Sequence, residues 1–113
     1  MHELSIVMGI IEIAEEELKK AGKERVTLIE LEIGSLSGVE LEALDFAWEP
    51  AVRGTVLEQA ERKIDYIEAR AVCVDCNSSF KIEHIYDNCP VCGSYLKNIV
   101  KGKELRVKAL EVV

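Results

Sequence analysis

The sequence predicts an α+β fold in which two helices pack on a small mixed sheet, with a cysteine-rich module inserted late in the chain. Three observations lead to this prediction. Apolar residues recur with helical spacing near the start of the chain and alternate with polar residues further along. Four cysteines form two closely spaced pairs between two of the alternating segments. A chain of 113 residues has room for one domain with a small insert of this kind.

The first predicted helix covers residues 5–21. Its apolar side chains fall on one stripe, while acids and lysines occupy the opposite side. The residues of the stripe are Ile6, Val7, Ile10, Ile11, Ile13, Ala14 and Leu18. Ser5 is a suitable N-cap because its hydroxyl can accept a backbone N–H. Lys19 and Lys20 followed by Gly22 are typical of a helix C-terminus.

A strand and a second helix are predicted next. Residues 26–33 alternate as a strand, with Thr27, Ile29, Leu31 and Ile33 on one face. After a turn at 34–38, Ser37 and Glu40 have the spacing of a capping box, which predicts the start of the second helix.

The second helix carries Leu41, Leu44 and Trp48 along one side. Pro50 is expected to end or kink it, because proline lacks the backbone N–H that the helix ladder needs.

Two further strands are predicted on either side of the cysteines. Residues 63–72 read as a strand that runs into Cys73, and Glu104–Val113 alternates as the last strand after Gly102. If these two strands pair antiparallel, the cysteine module is an insertion that projects from the main domain.

The predicted domains follow from this order. Residues 1–70 together with 103–113 form the α+β domain, and residues 71–102 form the cysteine domain.

The charge distribution disfavours nucleic acid as a partner. The net charge is −7. Residues 1–60 hold 5 Lys/Arg against 13 Asp/Glu, a net of −8, and residues 61–113 hold 9 against 8, a net of +1. An acidic half repels phosphate, so we expect no binding to DNA or RNA. The sequence contains no apolar run long enough for a membrane span and no basic, cleavable leader, so we expect a cytoplasmic protein.

The four cysteines have the spacing of a zinc ribbon. Cys73 and Cys76 are separated by two residues, as are Cys89 and Cys92, and twelve residues lie between the pairs. Each two-residue gap lets a tight turn present two sulfurs to one ion, and two such turns complete a tetrahedral shell with Zn–S bonds of about 2.3 Å. Gly93 and Asn77, which follow the pairs, suit the left-handed backbone of such turns.

Two alternatives use the same cysteines. Two disulfides are disfavoured in a cytoplasmic protein, and a rubredoxin-like iron site would need the same four ligands. With four protein ligands a zinc shell is closed, so this site is expected to be structural or sensory rather than catalytic. The sequence also contains no catalytic triad pattern, phosphate loop or glycine-rich fingerprint, so we do not expect an enzyme.

The chain begins Met1-His2-Glu3. The α-amine of Met1, the deprotonated amide nitrogen of His2 and the His2 imidazole can close adjacent chelate rings on one metal ion, and the amide nitrogen of Glu3 can supply a fourth ligand. Four nitrogens in a plane suit Ni(II) or Cu(II). A histidine at position 2 usually has no function, so this pattern alone leaves the metal site open.

The sequence resembles the HypA/HybF family of hydrogenase nickel-incorporation proteins. The likeness rests on segments in the family's order and spacing along the whole chain. These segments are Met-His-Glu-Leu-Ser at 1–5, Ile-Gly-Ser-Leu-Ser-Gly at 33–38, the second knuckle Cys-Pro-Val-Cys-Gly-Ser at 89–94, and Gly-Lys-Glu-Leu at 102–105.

This resemblance implies a nickel metallochaperone for the maturation of [NiFe] hydrogenase. It implies that His2 is the principal nickel ligand with Glu3 beside it, and that the four cysteines hold structural zinc. It also implies two partners, a HypB-type GTPase and the hydrogenase large subunit. Urease is a further candidate recipient, and the protein is expected to be a monomer or a homodimer.

Two questions stay open from sequence. A zinc-ribbon adaptor or regulator whose only metal is structural is the alternative function. His84 is the only other imidazole, and an exposed structural histidine is the favoured interpretation of it.

Overall fold

The structure is a computed structural model that describes residues 2–113. In chain order the elements are α1 (His2–Ala21), β1 (Val26–Gly34), α2 (Leu41–Val52), β2 (Glu61–Ile67), β3 (Arg70–Cys73), β4 (Ser79–Lys81), β5 (Lys97–Lys101) and β6 (Leu105–Val112). The predicted α+β class, with two helices and small sheets, is confirmed. None of the helices described is long and apolar enough to cross a membrane.

The chain forms two compact units. The first contains the chain up to Leu31 together with Val39–Asp65 and Arg106–Val113, and the second contains Glu32–Gly38 and Tyr66–Leu105. The segment Glu32–Gly38 therefore lies in the unit that holds the cysteines, whereas the sequence assigned it to the α+β domain. The domain boundaries at residues 71 and 102 stay a prediction.

Helix α1 begins earlier than predicted. It starts at His2, so Ser5 lies inside the helix and is not its N-cap. Glu3 provides a negative charge in the first turn, where the helix dipole favours one. At the other end the prediction is confirmed, because the helix ends at Ala21 and the Lys23 N–H bonds to the Leu18 carbonyl at 3.1 Å.

The apolar stripe of α1 is buried along most of its length, at Val7, Ile10, Ile11, Ala14 and Leu18. The exceptions are Ile6, which is half-buried, and Ile13, which is 45% exposed. In β1 the buried face consists of Ile29, Leu31 and Ile33, as predicted, but Thr27 is exposed and its hydroxyl donates to the Glu111 carbonyl at 3.2 Å.

Helix α2 departs from the prediction at both ends. Its N-cap residue is Glu40, and no side chain of that residue makes a capping hydrogen bond, so the capping box expected from Ser37 is wrong. Pro50 lies inside the helix, which continues to Val52. Proline has no N–H to donate to the helix ladder, and the helix ends two residues after it. Leu44 and Trp48 are buried as expected, and the Arg62 guanidinium lies 5.0 Å from the centre of the Trp48 ring.

The single strand predicted over residues 63–72 is two strands in two sheets. Strand β2 belongs to a sheet of order β2-β1-β6, and β3 belongs to a sheet of order β4-β3-β5. The two strands are separated by Glu68 and Ala69. Polar and apolar residues continue to alternate there, so the sequence pattern does not predict the break. Strand β1 lies between β2 and β6, so the antiparallel pairing that these two strands could have made does not form directly.

Two glycines permit a close approach of backbones in the second unit. A Cβ on Gly34 would collide with the carbonyl group of Gly102, and a Cβ on Gly102 would collide with Ala69. Gly102 also has φ of +117°, a conformation that side chains disfavour. The Gly34 N–H donates to the Glu104 carbonyl at 2.8 Å, and the Leu36 N–H donates to the Gly102 carbonyl at 2.7 Å.

We expect Gly34→Ala to lower the free energy of unfolding by about 1–3 kcal/mol, because the new methyl group must displace the Gly102 backbone. Gly9→Ala is the matched control. No atom lies within 4 Å of a Cβ at Gly9, which is inside α1, so this change should raise the free energy of unfolding by about 0.5–1 kcal/mol. Urea unfolding of both variants measures the difference, and equal effects would contradict the close approach.

Candidate metal centres

The four cysteine sulfurs converge on one point. The Cys73 and Cys92 sulfurs are 3.6 Å apart, as are those of Cys76 and Cys89, and all four lie within 4.8 Å of one another. A tetrahedral ion with Zn–S bonds of about 2.3 Å requires sulfur separations of about 3.8 Å. The cluster therefore fits a structural zinc ion. Within residues 2–113 it is the only group of three or more metal-ligating side chains that the fold brings together.

The two cysteine turns share one hydrogen-bond pattern. In the first turn the Asn77 N–H donates to the Cys73 carbonyl at 2.9 Å, and the Cys73 N–H donates to the Ser78 carbonyl at 2.9 Å. The second turn repeats both bonds at equivalent positions, from Gly93 to Cys89 and from Cys89 to Ser94, each at 2.8 Å.

Left-handed residues close both turns. Asn77 has φ of +62° and Gly93 has φ of +78°. The conformations predicted for these two positions are therefore confirmed.

Neighbouring groups shift the pKa values of two of the thiols in opposite directions. The Ser78 hydroxyl oxygen lies 3.3 Å from the Cys76 sulfur, and this hydroxyl, followed by the Ser78 backbone, lowers the pKa of Cys76 to about 6. The Ser94 backbone favours the Cys92 thiolate, but the neighbouring Cys73 thiol, burial and the remaining two cysteines outweigh it and raise the pKa of Cys92 to about 12. Four thiolates cannot gather here without a cation to neutralise them, and a zinc ion would supply that charge.

Sequence reasoning missed Ser78 and Ser94. A signal for both was present, because each cysteine pair is followed at the same offset by a left-handed residue and then a serine. Their backbone carbonyls close the two turns, and Ser78 also favours the Cys76 thiolate.

His2 and Glu3 lie in the first turn of α1, while Met1 lies outside the described residues. The His2 side chain is 63% exposed, and its Nδ1 is 3.5 Å from Glu3 Oε2. The first N–H groups of a helix have no partner within the helix, so the amides of these two residues are not part of the helical ladder. An imidazole and two such amides are therefore grouped at an accessible end of the helix.

The Glu3 side chain has a second contact that the sequence did not reveal. Its Oε2 accepts the backbone N–H of Glu40 at 3.3 Å, at the start of α2. The side chain is only 12% exposed. The Glu40 N–H, the Glu3 backbone amide and His2 hold the pKa of the Glu3 carboxyl below its usual range, so the group is a carboxylate at neutral pH. A contact between residues so distant in sequence leaves no local pattern.

His84 is an exposed histidine with its own neighbours. Its ring stacks on Tyr86 at a centroid distance of 4.9 Å, and its Nδ1 lies 3.6 Å from the Asp87 carboxylate. Asp87 also accepts the backbone N–H groups of Glu83 and His84, and these two bonds lower the pKa of its carboxyl. The structure does not place His84 in the cysteine cluster.

The fold and the cysteine cluster define a two-unit α+β protein with a zinc-ribbon metal centre. Residues 1–112 match the family model described as hydrogenase/urease nickel incorporation, metallochaperone, hypA. The chain belongs to this HypA family.

Similar proteins cover almost the whole chain. The hydrogenase maturation factor HypA of Parabacteroides distasonis is 47% identical over 112 residues, which are 99% of this chain and 97% of the relative. The HypA of Azotobacter chroococcum is 46% identical over 112 residues, 99% of each chain. The solution structure of the Ni metallochaperone HypA from Helicobacter pylori is 27% identical, with a TM-score of 0.68, and covers 98% of this chain and 97% of that one.

A second solution structure of a HypA protein is 29% identical, with a TM-score of 0.70, and covers 100% of this chain and 97% of that one. The resemblance found in the sequence is thus confirmed, and the protein is a hydrogenase-maturation metallochaperone rather than an enzyme.

We expect Ser78→Ala to weaken zinc binding about tenfold, because one hydrogen bond to a charged sulfur is lost. Without it the pKa of Cys76 rises, so protons displace zinc at a higher pH than in the native protein. Zinc release to a chromogenic chelator across an acid titration measures this shift. Ser5→Ala, on the exposed side of α1, should leave the release curve unchanged. Coincident curves for Ser78→Ala and the native protein would contradict the role of the hydroxyl.

Proposed function

We propose that this protein binds Ni(II) at its N-terminus and delivers it during the maturation of [NiFe] hydrogenase. The ligands are the α-amine of Met1, the amide nitrogen and imidazole of His2, and the amide nitrogen of Glu3. The observation that carries the proposal is the exposed His2 imidazole at the first turn of α1, beside amides that the helix does not use. The family's nickel-incorporation role supports nickel as the metal.

The chemistry of these donors suits a cargo metal. Neighbouring nitrogen ligands close small chelate rings, and four nitrogens in a plane are the preferred surroundings of Ni(II). Two of them are amides that must lose a proton on binding, so binding releases protons and is reversed when they return. The Glu3 carboxylate beside the His2 ring adds a negative charge that favours a divalent cation.

We also propose that Cys73, Cys76, Cys89 and Cys92 are the four ligands of a structural zinc ion. The sulfur separations and the paired turns support this assignment. A shell of four protein ligands leaves no position for a substrate, so this zinc holds the fold of its unit and does not react. The inserted zinc domain is proposed to cover residues 71–102, and the nickel domain residues 1–70 and 103–113.

The proposed partners follow from the maturation pathway of the family. A HypB-type GTPase and the hydrogenase large subunit are the proteins with which this chain is proposed to exchange nickel, in the cytoplasm. Urease is a second proposed recipient, in keeping with the family description.

His2→Ala should abolish stoichiometric nickel binding, because the imidazole that anchors the chelate is removed. Alanine favours helix, and the His2 side chain is exposed, so the fold and the zinc content should not change. Calorimetric titration of untagged protein with Ni(II) measures the loss, and His84→Ala, which removes the other imidazole, is the matched control. One extra residue before Met1, or acetylation of the amine, should weaken binding in the same assay.

If the His2→Ala protein binds nickel as tightly as the native protein while His84→Ala does not, the site lies at His84. In cells that lack the protein, His2→Ala should fail to restore hydrogenase activity at low nickel, with partial rescue at high nickel. Full activity at low nickel would leave the zinc-ribbon adaptor as the function.

Cys89→Ala should remove zinc and unfold the region around residues 73–92 while α1 stays helical. The buried cluster of this region has few members, and two of them are cysteines, so the metal supplies much of its stability. Amide hydrogen exchange measured along the chain distinguishes local from global unfolding. X-ray absorption of the native protein should show sulfur ligands only, and a nitrogen or oxygen ligand would contradict the four-cysteine assignment.

A further inference from the structure

One face of the β4-β3-β5 sheet contains three basic residues in a line across the strands. Arg70 of the central strand β3 lies directly opposite Lys81 of β4 and directly opposite Lys101 of β5. Residues directly opposite each other in antiparallel strands have their side chains on the same face. The Arg70 guanidinium also donates to the hydroxyl of Ser79 on β4, at 3.2 Å. We call Arg70, Lys81 and Lys101 the basic row.

The basic row lies on the open face of this sheet. The buried cluster of the unit lies on the other face and includes Ala71 of β3 and Phe80 of β4, the neighbours of row residues in sequence. Lys81 and Lys101 are exposed, and Arg70 is half-buried. The charged ends of the row are therefore accessible to a partner.

The basic row is electrostatically unfavourable by itself. Like charges directly opposite each other destabilise a sheet, and neighbouring strands are only about 4.8 Å apart. Among the residues that the structure describes, one carboxylate pairs with the row, that of Glu68, which lies 3.2 Å from Lys81 Nζ. Lysines on edge strands discourage unwanted strand pairing, but Arg70 is on the central strand. Three cations share one acid, so a bound anion would relieve the repulsion.

The spacing of the basic row fits an acidic helix that lies across the strands. Positions i, i+3 and i+7 share one side of a helix, and at about 1.5 Å per residue the second and third are about 4.5 and 10.5 Å from the first. The strands space the three cations at about 4.8 and 9.6 Å. Same-face residues of an extended strand are about 6.7 Å apart and fit less well. A net charge of −7 disfavours a long polyanion such as nucleic acid.

The helices of this chain do not offer free carboxylates in that pattern. Glu42, Asp45 and Glu49 of α2 have the required spacing and are exposed. Asp45, however, is paired with Arg62. Glu49 is paired with Arg53 at 3.4 Å. In α1 the last turn contains lysines rather than acids. A different protein is therefore a better occupant of the row than a second copy of this chain.

We propose that the basic row is a docking surface for an acidic helix of another protein, with carboxylates at positions i, i+3 and i+7. Each carboxylate of the helix pairs with one cation of the row. Because exposed ion pairs are individually weak and are screened by salt, the contact is readily reversible and depends on ionic strength. The docking surface includes none of the proposed metal ligands.

Three labelled peptides of one composition test the pattern against the full-length protein. The first is helical, with glutamates at i, i+3 and i+7. The second is helical with its glutamates spread around the helix, and the third is extended with glutamates at alternate positions. Fluorescence anisotropy at low salt should show binding of the first peptide, and added salt should weaken it. The other two peptides should bind at least about threefold more weakly.

Removing the charges of the row tests the surface itself. A triple variant with Arg70→Gln, Lys81→Gln and Lys101→Gln should bind the first peptide about tenfold more weakly, the combined effect of three exposed ion pairs. The matched control removes the same charge from exposed lysines of the first unit and should change binding less than about twofold. Its substitutions are Lys19→Gln, Lys20→Gln and Lys23→Gln.

A single substitution has the opposite expected sign. Glu68→Gln removes the acid that pairs with Lys81, so it should strengthen binding of the first peptide about twofold. Lys101→Gln alone should weaken it about twofold. These two single variants change exposed side chains and decide the question if the triple variant does not fold.

Four results would overturn the docking surface. Equal losses in the triple variant and its lysine control would show a response to net charge alone. Equal binding of the three peptides would remove the acidic helix as the occupant, and weaker binding by Glu68→Gln would contradict the role of the row. Sedimentation of the native protein as a dimer that the triple variant does not form would assign the row to a second copy. Binding of single-stranded RNA that the triple variant loses would assign it to nucleic acid.

Discussion

The second unit depends on the convergence of four thiols at one point. Its buried cluster consists of Ala69, Ala71, Cys73, Phe80, Ile82 and Cys89. Two alanines and two cysteines bury little apolar area, so the hydrophobic effect alone holds this unit weakly. The strands β3, β4 and β5 are short, and both cysteine turns need a residue with positive φ. The proposed zinc ion would neutralise the thiolates and so compensate for these costs, and it would fix the two turns from which the strands extend.

The predictable parts of the molecule are those specified by neighbours in sequence. The apolar stripe of α1, its C-terminal Gly22 and the two cysteine turns each depend on residues that are close in sequence. The parts that sequence did not predict depend on distant contacts. The strand predicted over residues 63–72 divides because its two halves join different sheets. Which sheet each half joins depends on the strands it pairs with, and some of these lie far along the chain. Ser37 and Glu40 match the capping-box pattern, but in the structure the Glu40 N–H donates to the Glu3 carboxylate of α1 instead.

The candidate sites divide in the same way. The clustering of the four cysteines could be predicted because their spacing defines the two turns, and the structure brings together all four. His2 stays a proposed nickel ligand, suggested by its position in the chain, which would define the chelate rings. The contact between Glu3 and Glu40 was not, since a backbone N–H carries no sequence signature. A supporting residue that acts through a distant backbone group therefore needs the fold before it can be recognised, whereas Ser78 and Ser94 follow the cysteine pairs at a fixed offset.

A structural zinc ion must stay bound, whereas a cargo nickel ion must be released, and the surroundings of the two proposed metal centres differ accordingly. Cys73 and Cys89 are buried, Cys76 is half-buried and Cys92 is exposed, but the proposed closed shell of four sulfurs would give competing ligands no open position. A metal held in this way stays bound, as a structural ion must. The His2 ring is exposed at a chain end, and two of the proposed donors are amides that regain a proton when the metal leaves. Reprotonation makes each amide a poor ligand at once, so a partner that offers its own donors can take the metal stepwise. A helix start suits this purpose because its first N–H groups make no hydrogen bond within the helix, so metal binding there costs the helix ladder none.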